Sequence, residues 1–524
     1  MALSGAPPAK RARLALASAR AALERLPAAL MESSMGEFLA EKEEEGEGAG
    51  AARDPVALRA AYVRHVLARA GAPAEARDAR GLFRAVEAAT RGQAACDLWW
   101  LLRRSLATAS AIRWAAAGPR PLVRLGRGAP EERDTAATLF GRCNEPLARA
   151  LVRALCVPPG DLPTPDGLGP PGAAWAERAA DAEGAAPAAG DGPAFVFDDD
   201  DGAGPAFVFD DDDGAGPAFV FDAAAAAEPA DDEHTCGLLI DARTGVLAAS
   251  IDMLVCDRDA RGELAPHATQ TELGLFEIKC RAKYAFDPDD GGATARAHAA
   301  LLAAPGAAAL RAFLRSVRRP GVEHCPPDGC PGAAEALASC AEGWAPPPPL
   351  PPGAPPPGRR CSEFDRRHLA LNRGVTSRVW LFNEPDERSG AIGLAAWDTG
   401  ATALEAPLFA NPRHANFRQV LVQSHVLAGH FPGRAAAPHL VTFIGRQRRP
   451  RESGALAVCA GAAGARVAVP RECAVPVLLI VTPVAVDGEL AREALERPAR
   501  EAFLAEAEAW ARRRPAAGAA ATAS

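Results

Sequence analysis

Two apolar runs, Val246–Val255 and Leu273–Cys280, are separated by a polar stretch that holds Gly262 and Pro266. Runs of this length, bounded by turn formers, predict a strand, a turn region and a second strand. Charges sit inside both: Asp252 in the first run, Glu277 and Lys279 in the second. Strand side chains alternate, so Glu277 and Lys279 share one face. A carboxylate and an amine among apolar neighbours are costly to bury unless something pairs with them. A hard divalent cation held by Asp252 and Glu277, with Lys279 at its edge, would offset that cost. For this to happen the two runs must lie beside each other.

The remainder of the chain suits an ordered core interrupted by insertions. Among 524 residues there are 48 Gly and 47 Pro, which demands long linkers and loops. One domain is expected over 54–514, between disordered tails at 1–53 and 515–524. A low-complexity insertion covers 158–230. In it PAFVFDDDDGAG occurs at Pro193–Gly204 and again at Pro205–Gly216, and a partial copy ends at Asp222. The unit is too short for a solenoid repeat and reads as a tandem expansion in a surface insertion. Its runs Asp198–Asp201 and Asp210–Asp213 supply eight carboxylates, equal to the net charge of −8. A basic groove elsewhere is therefore compatible with an acidic total.

A second irregular insertion is expected over 318–360, with HCPPDGC at His324–Cys330, then Cys340 and a polyproline run at Pro346–Pro352. His324, Cys325, Cys330 and Cys340 can be drawn as a zinc site, but their spacing fits no strong template. No apolar run approaches ~18 residues and no secretory signal is evident, so a soluble intracellular chain with reduced thiols and no membrane contact is expected. Near the amino terminus PPAKRARL reads equally as a nuclear import signal or a solvated basic tail.

Asp54 should open a helix bearing Val56, Leu58, Tyr62, Val66 and Leu67, and a second apolar-periodic stretch runs from Leu82 to Leu102. Asp134 can cap a further helix that carries Glu145. Strands are expected at Arg378–Phe382, His439–Gly445 and Val477–Val484, with a helix at Asn416–Leu427. A charged helix should close the chain over 488–514, kinked or divided at Pro498.

Asp, spacer, Glu-x-Lys is the pattern of the PD-(D/E)xK nucleases. SIDMLVCD followed by FEIKCRAKYAFDP resembles the central motif of the herpesvirus alkaline nucleases, relatives of phage lambda exonuclease. Three further segments are similar to that family: LWWLLRRSLATAS (W-x-x-x-R…T-A-S), GRCNEPLARAL (G-x-x-x-E-P-x-A-R) and NPRHANFRQVLVQSHVLAGHF. The resemblance spans 54–514 apart from the two insertions. It implies a mixed α/β fold, a central sheet flanked by helices in a three-layer sandwich.

The resemblance also implies a site. Asp252, Glu277, Glu145 and the carbonyl of Ile278 would hold magnesium, with manganese as the alternative, while Lys279 polarises the attacking water and Ser250 contacts the scissile region. Arg103, Thr108, Ser110, Phe140 and Cys280 would form a 5′-phosphate pocket, and Gln93 and Gln423 would join the nucleic-acid-binding set. On the residues alone, plainer readings exist: Arg103 as a surface arginine beside a Ser/Thr cap, Glu145 as a solvated helix glutamate. The implied activity is a 5′→3′ deoxyribonuclease with endonuclease action on double- and single-stranded DNA. Family biology adds processing of branched or concatemeric viral DNA for packaging, recombination with the viral single-strand DNA-binding protein, host nuclear and cytoplasmic localisation, and host messenger RNA degradation in gamma-herpesvirus members. The competing classes are an inactive DNA-binding or annealing module on the same fold and a restriction-like endonuclease.

Overall fold

Asp54 is extended and caps the helix that follows it. Its carboxylate accepts the N–H of Val56 at 2.9 Å, and Pro55–Arg69 follows as α1. The computed structural model describes residues 23, 25–44, 54–72, 77–115, 118–125, 135–157, 234–259, 261–344, 361–460 and 465–513. The acidic repeat, the polyproline run, PPAKRARL and the carboxyl-terminal tail lie outside these. Arg59 of α1 is fully buried, donating to the carbonyl of Gly245 at 2.9 Å and to the hydroxyl and carbonyl of Ser105 at 2.6 and 2.5 Å. It thereby fastens α1 to the start of the first apolar run. Gly245 is needed there: its φ is +64°, and a Cβ would meet the carbonyl oxygen of Pro55 at 2.7 Å.

The stretch expected as one pattern from Leu82 to Leu102 forms two helices, Ala79–Ala89 (α2) and Asp97–Arg103 (α3). A 3₁₀ turn at Gln93–Ala95 divides them, and Gln93 has φ 45°, a left-handed conformation rare outside glycine. Glu87 of α2 is fully buried. It accepts from the N–H of Gly237 at 3.1 Å and pairs with Arg91 at 3.1 Å and Arg258 at 3.2 Å. Burial opposes its ionisation, but Arg258 and Arg91 outweigh burial and hold the carboxyl below its ordinary range. Glu87→Ala leaves two guanidinium groups uncompensated and should cost about 3–5 kcal/mol of unfolding free energy. A denaturant midpoint unchanged from wild type would contradict this.

Next come β1 (Ala107–Thr108) and α4 (Ala136–Cys156). Thr135, whose hydroxyl accepts the N–H of Thr138 at 3.2 Å, caps α4. The expected cap, Asp134, lies outside the described residues.

The first apolar run does not form one strand. It yields β3 (Leu247–Ser250), which pairs with β1 and with β2 (Leu238–Ile240), and then β4 (Met253–Val255), which crosses to another sheet. The break falls at Ile251–Asp252. There the Asp252 carboxylate accepts the N–H of Ile278 at 2.8 Å, a bond to neighbouring backbone that a side chain has taken over.

The second sheet has six strands in the order β7-β6-β9-β8-β5-β4. Its other members are β5 (Glu272–Cys280), β6 (Ser377–Leu381), β7 (Leu404–Ala406), β8 (Ala435–Arg446) and β9 (Val475–Pro483). β5 runs parallel to β8 and every other neighbour is antiparallel, so the sheet is mixed. Helix α5 (Ala415–His430) packs one face through Phe417, Val420 and Leu421, in the cluster that holds Leu275 and Leu440. Helix α4 packs the other through Leu147 and Leu151, with Phe276, Ile278 and Val441. This is the mixed three-layer α/β arrangement expected. The last helix, α6 (Gly488–Arg513), continues through Pro498 undivided.

The region expected to be irregular contains short strands. Val322–His324, Leu337–Ser339 and Phe409–Ala410 form a small sheet. Its parallel pairing of His324 with Ser339 sets Cys325 beside Cys340 in an apolar cluster with Leu369 and Phe409. Among the described residues no three His, Cys, Asp or Glu side chains stand together as metal ligands, neither His324, Cys325, Cys330 and Cys340 nor any other set. Nor is any described helix long and apolar enough to cross a membrane.

Candidate active site

The sheet change at Asp252 brings the expected charges together. β5 carries Glu277 and Lys279 on the face covered by α5, while the neighbouring break carries Asp252 against the Ile278 N–H. Glu277 is fully buried. Its Oε2 accepts from Gln423 Nε2 at 2.5 Å, and that same nitrogen lies 2.9 Å from the carbonyl of Ser250. Lys279 Nζ stands 2.5 Å from Glu277 Oε1. The ammonium serves that oxygen by charge and by hydrogen bond. Gln423 is itself fully buried, and its amide nitrogen is committed within the protein. From α5 it links Glu277 to the Ser250 carbonyl of β3.

Glu145 approaches from α4. The spacing of Glu145 and Arg149 places both on one helix face, and Arg149 joins two of the acidic positions. Its Nη2 lies 2.5 Å from Glu145 Oε1 and its Nε 2.8 Å from the carbonyl of Asp252. The family-like segment GRCNEPLAR contained Arg149 as its last residue. Its role as a brace was open to inference from the four-residue spacing.

The three carboxylates feel one another. Burial, then the charge of Asp252, pushes Glu145 up to about 7 and Glu277 up to about 8. Burial works against the Lys279 ammonium, but Glu277 and Asp252 overcome it and hold its pKa above the ordinary lysine value. Lys279 is thus a charged hydrogen-bond donor at neutral pH and not a free base.

The residues expected to bind a terminal phosphate occupy two sides of this centre. On one, Trp99 donates its indole N–H to Ser250 Oγ at 2.9 Å, and the Arg103 guanidinium lies 3.9 Å over the Trp99 ring. Thr108 is aligned with Ala248 of β3, and its hydroxyl is 3.4 Å from that of Ser110. On the other side, Phe140 is buried on α4 ahead of Glu145. Cys280 ends β5, where burial, then the Glu145 and Asp252 charges, raise its thiol pKa. Trp99 is the link that ties the arginine to β3. Gln93 donates its side-chain N–H to the carbonyl of Cys236 at 3.0 Å, so this amide too is used within the fold.

Donor type suits a hard cation here. Asp252, Glu277, Glu145 and the Ile278 carbonyl offer only oxygen, and as they stand the three carboxylates do not form a ligand group. As the side chains stand, Arg149 and Lys279 each hold one of the carboxylates.

A model of the viral alkaline exonuclease family matches residues 15–521. The alkaline nuclease of Equine herpesvirus 1 (strain Ab4p) is 44% identical over 430 residues, covering 80% of this chain and 67% of that protein. The alkaline nuclease of Varicella-zoster virus (strain Dumas) is 40% identical over 420 residues, covering 78% and 69%. Among solved structures, the shutoff and exonuclease protein from Kaposi's sarcoma-associated herpesvirus shares the fold with a TM-score of 0.61 at 18% identity, over 97% of this chain and 94% of that one. With a family model matched over nearly its full length, this chain belongs to the viral alkaline exonuclease family.

Proposed function

We propose that the protein is a magnesium-dependent deoxyribonuclease of the PD-(D/E)xK type, combining 5′→3′ exonuclease and endonuclease action. The observation that carries this reading is Glu277: a fully buried carboxylate held between Lys279 and Gln423, its pKa raised by burial and the charge of Asp252. A fold has no packing reason to set Glu145 and Glu277 within reach of the Asp252 charge, with Lys279 paired to Glu277. An inactive binding module would not need them, and that argues for catalysis.

Asp252, Glu277, Glu145 and the Ile278 carbonyl would hold the cation, which when bound supplies charge neutralisation at the phosphoryl group and a water of lowered pKa. Lys279, as an ammonium, donates to the attacking water and orients it. Gln423 keeps Glu277 aimed by bridging it to the Ser250 carbonyl, and Arg149 keeps Asp252 and Glu145 in register. Arg103, Thr108 and Ser110 offer charge and hydroxyl donors to a terminal phosphate.

Lys279→Ala should therefore bind magnesium about as well as wild type but cleave at least about 10²-fold more slowly, the usual share of a positioned proton-handling group. Single-turnover rates on saturating DNA test this, and an unchanged rate would make Lys279 structural.

The raised carboxyls also set a pH dependence. Near pH 6 Glu145 and Glu277 carry protons that a cation must displace, and above about pH 9 they do not. Magnesium affinity should rise steeply from about pH 6 to 9, with protons released on binding at the lower end. Calorimetric titration at several pH values reads this directly, and pH-independent binding would contradict it.

RNA is a second substrate reading. A solved complex of RNA with the Kaposi's sarcoma-associated herpesvirus protein shares this fold, with a TM-score of 0.61 at 19% identity. Cleavage of labelled RNA by the same preparation tests it. Processing of branched viral DNA in the host nucleus with the viral single-strand DNA-binding protein extends the proposal and rests on family likeness alone.

A further inference from the structure

Beyond Lys279, β5 continues for one more ladder bond: the N–H of Arg281 donates to the carbonyl of Phe443 at 2.9 Å. Alternation puts the Arg281 side chain on the same face as Glu277 and Lys279. It also lies beside the amino-terminal end of α5, where His414 caps the helix by accepting the N–H of Asn416 at 3.0 Å. Four cations surround His414. Burial lowers its pKa to about 3, and Arg281, Lys283, Lys279 and Arg418 add to that shift.

Three of these four cations have partners. Lys279 pairs with Glu277, Arg418 donates to Asp365 at 3.1 Å, and Lys283 donates to the carbonyl of Arg319 at 2.9 Å. Arg281 has neither a hydrogen bond nor an ion pair from its guanidinium among the described residues, although it is half-buried. Burial lowers its pKa, and no carboxylate opposes that effect. A second unpartnered group opens on the same small cavity: Thr442, 5% exposed, whose hydroxyl has no hydrogen-bond partner among the described residues. A half-buried guanidinium without a counter-charge is costly in the free protein, and an arriving anion would relieve it.

We propose that Arg281 holds an internal phosphodiester of the bound strand, beside the one being cut. Two residues along a strand span roughly 6.6 Å, and a nucleic-acid strand rises about 3.4 Å per nucleotide. Arg281 is therefore placed one or two steps from the bond at Lys279. Its planar fork suits a diester, and it recognises charge without reading sequence. This rests on the nuclease reading of the same site, and it separates Arg281 from Arg103. The former grips any strand, the latter a terminus.

The test uses the full chain as wild type, Arg281→Met and Arg281→Lys. Duplex binding is measured in calcium from about 50 to 300 mM salt, and each protein's thermal midpoint is taken without DNA. Arg281→Met should weaken binding about tenfold or more at the lowest salt. It should also reduce the slope of log affinity against log salt by about 0.9, the share of one phosphate contact. Nicking of closed circles and digestion of 5′-phosphorylated ends should fall together, and the free protein's midpoint should hold or rise. Arg281→Lys should recover the slope but not the full affinity. Wild-type affinity and slope in Arg281→Met would overturn the assignment, as would a lowered midpoint with an unchanged salt slope. Failure of the wild type itself to bind and cut DNA would instead remove the nuclease reading.

Discussion

Asp252→Asn and Glu277→Gln should each reduce DNA cleavage by more than about 10³-fold, since each withdraws several kcal/mol of transition-state stabilisation supplied through a cation. The substitutions change charge and hardly any volume. In Asp252→Asn the side-chain amide still offers an oxygen to the Ile278 N–H, which the Asp252 carboxylate accepts at 2.8 Å. In Glu277→Gln the amide oxygen still offers an acceptor to Gln423, which stands 2.5 Å from the glutamate. The fold should therefore persist, and DNA binding in calcium should largely survive. Circular dichroism and binding assays separate a lost site from a lost fold. Near-wild-type turnover by either variant would remove that residue from the centre.

Arg103→Ala should act selectively. A terminal 5′-phosphate carries up to about two charges near neutral pH, as a phosphomonoester does, whereas an internal diester carries one. A charge-assisted contact of about 1.5–3 kcal/mol corresponds to roughly a tenfold to hundredfold loss. That loss should fall on digestion of 5′-phosphorylated ends and largely spare nicking of closed circular DNA. Arg103 also lies 3.9 Å over Trp99, whose indole holds Ser250. Removing the guanidinium therefore also loosens a ring that braces β3. Comparing both activities on one preparation distinguishes the cases. An equal fall in both would place Arg103 in general binding or folding and not in an end pocket.

What was legible in the sequence follows the strength of each local signal. Glu277 and Lys279 were readable because two-residue alternation survives in β5, and the helix around Gln423 was readable from its spacing alone. The sheet change at Asp252 was not. A run buried on both faces has no alternation to interrupt, and the break depends on a bond to Ile278, 26 residues away. Likewise the short strands at Val322–His324 and Leu337–Ser339 were hidden by surrounding Pro and Gly, since three residues carry too little pattern. Gln423 joined the nucleic-acid-binding set by likeness, and its bonds to Glu277 and Ser250 are a packing relation that no local pattern carries. Pro498 marks the opposite limit: a breaker by local rules, it is carried within α6.

Oxygen donors on β5, α4 and the Asp252 break are proposed to convert a buried charge cluster into a cation-dependent phosphodiesterase. Incubating the purified protein with 5′-phosphorylated linear duplex, with magnesium and then with chelator, tests this most directly. Release of nucleotides from the 5′ ends is expected with magnesium, and none with chelator. Cleavage that persists undiminished in chelator, or none under either condition from a folded, DNA-binding preparation, would contradict it.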